Sequence, residues 1–156
     1  MHARTEAVIR DLRARGIDSE VRDLDTGAHT AQEAADHLGV ELGAIANSLV
    51  FAADDEPILI MTSGAHRVDT DHTARALGYT RIGRAKPEMV KAATGQIIGG
   101  VAPCGHPAPL TTFVDTALRG HPVIWAAGGT PDTMVPLTFD ELLAVTEGRE
   151  ISVAPD

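Results

Sequence analysis

The chain has 156 residues, of which 44% are hydrophobic and 22% charged, so it is long enough to bury a core, and we expect one domain over residues 1–156. A formal net charge of −9 repels a nucleic-acid backbone at long range, and three Phe, one Tyr and one Trp leave little surface for base stacking, which argues against a DNA-binding protein. No stretch reaches the roughly 20 apolar residues of a membrane span, and a single cysteine excludes an internal disulfide, so we expect a cytoplasmic protein with no membrane partner.

Helix signals recur along the chain. Thr30 with Glu33, and again Thr138 with Glu141, form the capping-box pattern that begins a helix, and Pro87 suits the first turn of another. Glycines follow most of these segments at the position where a helix ends. The patterns predict helices at residues 4–15, 30–39, 69–77, 87–94 and 138–145.

Apolar runs bounded by turn residues predict the strands. Residues 46–53 and 57–63 are separated by three acidic residues and predict a hairpin with a charged turn. Further strands are predicted at residues 19–24, 110–114, 123–127, 134–137 and 151–153. Because helices and strands are mixed without strict alternation, we expect an α+β fold with a mixed, strongly curved, barrel-like sheet surrounded by helices.

The segment at residues 95–107 is the strongest functional signal. A strand-like apolar pair, Ile97 and Ile98, runs into a loop that contains Gly99, Gly100 and Pro103. Glycine admits φ values closed to other residues and lets a ligand approach the main chain, while proline fixes the exit of the loop. Exposed backbone N–H groups suit a carbonyl or a developing oxyanion. The alternative interpretation is a β-bulge or a corner of the sheet.

Several blocks of sequence share an order and spacing with a known family. They are residues 31–35 with 38–40, residues 45–51, the loop at 95–105, residues 114–115 and residues 125–129. Together they resemble the YbaK-like family, also called the prolyl-tRNA-synthetase-associated or aminoacyl-tRNA-deacylase domain. The resemblance implies a free-standing editing domain that hydrolyses the ester of a mischarged aminoacyl-tRNA, typically after an error of prolyl-tRNA synthetase, without a metal or another cofactor. The implied partners are the acceptor end of aminoacyl-tRNA and prolyl-tRNA synthetase.

The resemblance also implies where catalysis takes place. The loop from Gly99 to Pro103 would position the aminoacyl carbonyl, and a hydroxyl of the terminal adenosine would assist the attack of water. Asn47 stands where most members of the family have a lysine, and its amide offers hydrogen bonds without charge. We therefore predict Gly99, Gly100 and Asn47 as catalytic residues. The alternative is a catalytically silent member that binds tRNA ends, a synthetase or a small amino-acid-like ligand.

Six further residues are predicted to bind substrate, and four of them have a plainer interpretation, which for His29 is an exposed histidine in a turn. His106 could orient water or lie at the surface, Asp115 could cap a short helix, and Gly128 could form the pocket wall or end a strand. The predicted set is Ser48, Pro103, His106, Asp115, Gly128 and His29.

Three other patterns carry competing hypotheses. Cys104 lies two residues before His106, which suggests a thiol-dependent hydrolase, although a small buried side chain is the favoured role. The potential metal ligands His66, Asp69, Asp71 and His72 crowd one segment, but helix capping by the carboxylates explains them better. Two basic patches could meet RNA or be solvated helix faces: Arg81, Arg84, Lys86 and Lys91, and Arg4, Arg10, Arg13 and Arg15.

Overall fold

The structure, a computed structural model, describes residues 2–24 and 30–155, and within these ranges five α-helices surround one eight-stranded mixed sheet. The helices are α1 (Ala3–Ala14), α2 (Ala31–Leu38), α3 (Thr70–Leu77), α4 (Pro87–Thr94) and α5 (Phe139–Thr146). The strands are β1 (Arg22–Asp23), β2 (Ile45–Ala53), β3 (Glu56–Ser63), β4 (Ile82–Arg84), β5 (Thr112–Asp115), β6 (Ile124–Ala127), β7 (Thr133–Leu137) and β8 (Arg149–Ile151). Two short 3₁₀ segments, Leu42–Ala44 and Thr116–Gly120, precede β2 and follow β5.

The sheet has the strand order β1-β7-β6-β2-β3-β5-β8, and β4 adds to β2 beside that path. The pairs β2–β6, β3–β5 and β5–β8 are parallel, whereas the other pairs are antiparallel. The mixed α+β architecture is therefore confirmed. The sheet is open, however, because the terminal strands β1 and β8 do not pair with each other among the described residues, so the barrel-like expectation is corrected.

Local capping explains why the helices begin and end where they do. The side chains of Thr30, Asp69 and Thr138 accept N–H groups at the starts of α2, α3 and α5, and Thr138 with Glu141 completes a capping box. The predicted hairpin is confirmed, since β2 pairs with β3 from Ala46 to Ala53 and Asp54 and Asp55 take φ values of 48° and 70° in the turn.

Short strands were predicted less well. The strand expected at 19–24 is reduced to Arg22–Asp23, the last strand lies at Arg149–Ile151, and the sequence pattern missed β4. Ile97 and Ile98 do not form a strand pair, because they lie in a turn with 41% and 64% of their surface exposed.

The central strand β3 is buried on both faces of the sheet from Ile58 onward. Along β3, Leu59 and Met61 join the core cluster formed with α1, α4 and α5, whereas Ile58 and Ile60 join the cluster beneath α3. A third cluster packs α2 against the start of β2. One edge of β2 pairs with β3 from Ala46 to Ala53. Its other edge pairs with β6 only at Ile45 and Ala46 and with β4 only from Phe51 onward. Residues 47–50 are thus left without a strand on that edge, and this gap positions the site.

Candidate active site

A cavity of about 710 Å³ opens along the unpaired edge of β2. Residues 45–51 of β2 form its floor. The walls come from β4, α2, the end of β6 and the loop at residues 95–105, which we call the glycine loop. The walls include Ile98, Gly99, Val101, Arg84 and Ala127. The cavity is thus bounded by segments that are far apart in sequence.

Three of the predicted site residues line this cavity together: Asn47, Ser48 and Gly99. The Asn47 side chain is half-buried, and within the described part of the chain its amide has no hydrogen-bond partner. The Ser48 hydroxyl lies 3.1 Å from the Met61 sulfur. The structure therefore places the Asn47 amide and the glycine loop at the same cavity.

The glycine loop begins with a tight turn. The N–H of Gly100 donates to the carbonyl of Ile97 at 2.9 Å, and Gly99, third in the turn, has φ of 94°. A positive φ at that position is typical of a type II turn and explains the glycine. The N–H of Gly100 is therefore used internally, and Gly100 does not line the cavity, so it is not the exposed donor that we expected. Glycine is needed there because a Cβ would lie 2.7 Å from the carbonyl carbon of Thr130.

Two other N–H groups of the loop remain available. Among the described residues, the N–H groups of Gly99 and Val101 have no hydrogen-bond acceptor, and both residues line the cavity. Val101 is itself only 4% exposed. Buried backbone donors are nearly always paired in native proteins, so the unpaired N–H of Val101 is suited to bind a ligand oxygen, and the N–H of Gly99, an exposed residue, lies at the same cavity.

Gln96, which sequence reasoning missed, holds the side of the glycine loop that does not line the cavity, which we call its rear side. Its side chain is 1% exposed, its Oε1 accepts the N–H of Ala102 at 2.8 Å, and its Nε2 donates to the carbonyl of Cys104 at 3.2 Å. The neighbouring N–H of Gly105 donates to Asp11 at 2.7 Å. A glutamine beside a run of glycines is typical of an exposed loop. No feature of the sequence indicates that the loop folds around the Gln96 side chain.

His106 and Pro103 lie outside the cavity. Both line a separate groove of about 460 Å³ that also contains Asp11 and Cys104. The His106 Nε2 lies 2.9 Å from the carbonyl of Ala102, and burial lowers the pKa of His106 below its usual 6.5, which favours the neutral ring donating from Nε2. The structure therefore places His106 and Pro103 outside the cavity, where the His106 ring holds the rear side of the loop through the carbonyl of Ala102.

Cys104 has the properties of a structural thiol. It is 5% exposed, its sulfur lies 3.6 Å from the carbonyl of Val8, and burial, reinforced by the charge of Asp11, raises the pKa of Cys104 to about 12. The thiolate is the nucleophilic form of cysteine, so this group cannot supply it near neutral pH. The thiol-hydrolase hypothesis is not supported.

Asp115 caps the 3₁₀ segment that follows β5 and does not line the cavity. Its Oδ1 accepts the N–H of Ala117 at 2.9 Å, and its Oδ2 accepts the N–H of Ser63 at 3.0 Å and faces the Nδ1 of His66 at 3.1 Å. The plainer interpretation, capping, is therefore the one that the structure supports. Its carboxylate joins β3, β5 and the following turn.

The remaining predictions fall at the margin of the site or beyond it. Gly128 donates its N–H to Thr133 at 2.8 Å in the turn between β6 and β7, and its neighbour Ala127, not Gly128, lines the cavity. His29 lies outside the described residues. Asp69 accepts the N–H of His72 as the cap of α3, and in the ranges 2–24 and 30–155 no group of three or more His, Cys, Asp or Glu side chains is placed to hold a metal. Over the same ranges, no helix combines the length and apolar character needed to cross a bilayer.

Arg84 is the one charged side chain that lines the cavity among the residues described. It is exposed, belongs to the predicted basic patch and makes no ion pair within the described ranges. An unpaired guanidinium at the mouth of a cavity suits a phosphate, because its donors match phosphate oxygens.

Comparison with known proteins gives the class to which this fold and cavity belong. A sequence model described as the aminoacyl-tRNA editing domain matches residues 25–145. The chain belongs to the aminoacyl-tRNA editing domain family, and the resemblance found in the sequence is confirmed.

The similar proteins include chains of comparable length and parts of longer ones. The uncharacterized protein YwhH of Bacillus subtilis is 30% identical over 126 residues, which cover 80% of each chain. A proline–tRNA ligase of Nitratidesulfovibrio vulgaris is 34% identical over 130 residues, 83% of this chain but 20% of the ligase. A solved structure described as a candidate trans-editing enzyme for prolyl tRNA synthetase superposes with a TM-score of 0.92 at 37% identity, covering 100% of this chain and 99% of that one.

Proposed function

We propose that the protein hydrolyses the ester bond between a wrongly attached amino acid and the 3′ end of tRNA, and that the reaction takes place in the cavity beside β2. The observation that carries this proposal is the pair of unbonded N–H groups at Gly99 and Val101 in the same cavity as the amide of Asn47. Membership of the editing family supports the reaction class.

The chemistry needs little from side chains. The N–H groups of Gly99 and Val101 face the ester carbonyl oxygen and stabilise the negative charge that grows on it. Water adds through its oxygen to the carbonyl carbon, the bond to the ribose oxygen breaks, and that oxygen takes up a proton, leaving a free amino acid and uncharged tRNA. Because an ester is already activated, oriented water and fixed donors can supply the catalysis without a metal or a thiolate.

Asn47 and Arg84 would hold the substrate. The Asn47 amide can donate to a carbonyl or ribose hydroxyl oxygen without adding the charge that the usual family lysine brings. Arg84 would bind a phosphate of the acceptor strand and so supply the positive charge that position 47 lacks. We further propose prolyl-tRNA synthetase as the source of the mischarged substrate, because stretches of proline–tRNA ligases and a described trans-editing protein resemble this chain.

A deacylation panel tests the activity. tRNAPro and other tRNAs are charged with single amino acids, and loss of the ester is followed with and without the protein. We expect acceleration for at least one amino acid on tRNAPro other than proline. If no charged tRNA is hydrolysed faster than in buffer, the silent binding role, motivated by Asn47, replaces the proposal.

Removing a backbone donor tests the mechanism. Val101→Pro deletes one N–H that has no partner in the described structure, whereas the control Val101→Ala shortens the side chain and keeps the N–H. Loss of one oxyanion donor lowers kcat about 10²–10³-fold, and we expect this for proline but not for alanine. Equal kcat in the two variants, with matching thermal melting curves, would contradict the proposed carbonyl site.

A further inference from the structure

The floor of the cavity contains unpaired main-chain groups whose direction the sheet register defines. Val50 lies opposite Leu59, and the N–H of Leu59 donates away from β2, to the carbonyl of Thr111 at 2.9 Å. In an antiparallel ladder, residues directly opposite turn their polar groups either toward each other or away from each other. Val50 therefore turns its N–H and C=O away from β3, and by the two-residue alternation of a strand Ser48 does the same.

No described strand pairs with residues 47–50 on that side, and the register of β2 with β4 places Ala85, the residue after β4, opposite Val50. The pairing of β2 with β6 ends at Ala46, the pairing with β4 begins at Phe51, and both Ser48 and Val50 line the cavity. Within the described chain, the carbonyl of Ser48 and the N–H of Val50 consequently have no partner. Ser48 and Val50 are half-buried, and their unpaired acceptor and donor lie at the cavity, where a ligand can take the place of water.

The surroundings define the chemistry of that ligand. Of the described residues that line the cavity, none is acidic and Arg84 alone is charged, so the lining offers no carboxylate that would select a cationic ring at this edge. The exposed apolar side chains of Leu49 and Ile98 lie at the same cavity and suit a flat ring. A planar, neutral ligand with a donor next to an acceptor fits both observations.

We propose that the edge formed by Ser48 and Val50 binds the base of the 3′-terminal adenosine of tRNA, an inference that rests on the proposed function. The exocyclic N6–H₂ of adenine donates to the carbonyl of Ser48, and its ring N1 accepts the N–H of Val50. Arg84 follows at the β4 end of the same edge, where the phosphate of the nucleotide would lie. The main chain of β2 thus recognises the nucleotide that carries the ester.

Binding of an uncharged RNA end tests this assignment without any hydrolysis. The protein is labelled with ¹⁵N and titrated with the tetranucleotide ACCA, with the same tetranucleotide ending in inosine, and with AMP. Inosine carries an oxygen at position 6 and a hydrogen on N1, which reverses the pattern of donor and acceptor. We expect ACCA to shift the amide signals of Ser48 and Val50, and the inosine form to bind about tenfold more weakly or worse.

Each outcome of these titrations either supports the adenine site or overturns it. Equal affinity for the two tetranucleotides, or no shift at Ser48 and Val50, would overturn the adenine site. Tighter binding of ACCA than of AMP assigns the site to an RNA end, whereas equal binding of the two would assign it to free nucleotides and overturn the tRNA part. Because no ester is present, failure of the deacylation panel alongside discrimination between the bases would remove the proposed hydrolysis and leave the binding site.

A pair of variants places the contact on the strand. Val50→Pro deletes the N–H that points into the gap and takes no hydrogen bond from the ladder with β3, while Val50→Ala keeps the N–H. We expect the proline variant to lose the preference for adenosine over inosine and the alanine variant to retain it. Retained preference in a folded proline variant would contradict the assignment, and if that variant does not fold, the two tetranucleotides still decide.

Discussion

The two sides of the glycine loop are held in opposite ways. On the rear side, Gln96 bonds the N–H of Ala102 and the carbonyl of Cys104 from within the core. On the cavity side, the N–H groups of Gly99 and Val101 have no acceptor among the described residues. A loop fixed from behind can present unbonded donors in front, and donors that are fixed before the substrate arrives need no reorganisation during the reaction. The hydrogen bonds of Gln96 on the rear side therefore fix the unbonded N–H groups on the cavity side.

Removing the rear support should have the largest effect. Gln96→Ala leaves the N–H of Ala102 and the carbonyl of Cys104 buried without partners, and we expect the free energy of unfolding to fall by about 2–4 kcal/mol. The donors at Gly99 and Val101 would then lose their fixed positions, so kcat for deacylation should fall as well. Urea unfolding and single-turnover kinetics measure the two effects.

Gln32→Ala is the matched control. The Gln32 side chain donates to Asp36 at 2.9 Å, but this bond lies on the exposed face of α2. We expect a change of at most about 0.5 kcal/mol and unchanged kcat. If the two alanine variants were equally stable, the buried network would not support the loop.

Gly100→Ala should have the second largest effect. A Cβ at this position would lie 2.7 Å from the carbonyl carbon of Thr130 and 2.8 Å from the nitrogen of Pro131, and backbone atoms yield poorly. We expect a loss of about 1–3 kcal/mol, measured by urea unfolding, together with a displaced loop.

Gly120→Ala provides the comparison, since a Cβ there meets nothing within 4 Å. It should leave stability nearly unchanged or raise it by about 0.5 kcal/mol. Equal losses in the two variants would mean that the contact of Gly100 with the segment at Thr130 is not what requires glycine.

The sequence predicted those features that depend on neighbours along the chain. Thr138 and Glu141 specify the start of α5 between themselves, and Asp54 and Asp55 form the turn of the hairpin within the hairpin itself. The presence of Asn47 and Gly99 in one cavity was also predicted, through the family resemblance.

Long-range contacts decided what the sequence could not predict. The N–H of Gly105 is bonded to Asp11, 94 residues away, and Gly100 packs on Thr130. With these contacts, the side chain of His106 lies in the groove beside Asp11 and Cys104, the rear groove, and Gln96 is buried. The length of β4 and the gap along β2 likewise depend on pairings that no local pattern reveals.

The buried His106 ring, which contacts the carbonyl of Ala102, should make the free energy of unfolding depend modestly on pH. Burial lowers the pKa of this ring in the folded state below 6.5, so at acidic pH the unfolded chain binds a proton that the folded chain binds more weakly. Its contribution is fully present above pH 6.5 and is lost as the pH falls below that value. We expect the melting temperature of the wild-type protein to fall more steeply between about pH 6.5 and 5 than that of His106→Gln, whose amide can still donate to Ala102. Parallel curves for the two proteins would remove His106 as the source of this dependence.

Cys104 should contribute least to activity, although it lies on the same loop as the reacting groups. With the pKa of its thiol raised to about 12 by burial, it holds almost no thiolate at pH 8, so Cys104→Ala should deacylate tRNA at the wild-type rate. The small loss of packing should appear only in urea unfolding, and iodoacetamide should modify the native protein far more slowly than the unfolded one. Loss of deacylation in a Cys104→Ala variant that still melts cooperatively would instead place the chemistry in the rear groove, and the contrast between the two sides of the loop would be reversed.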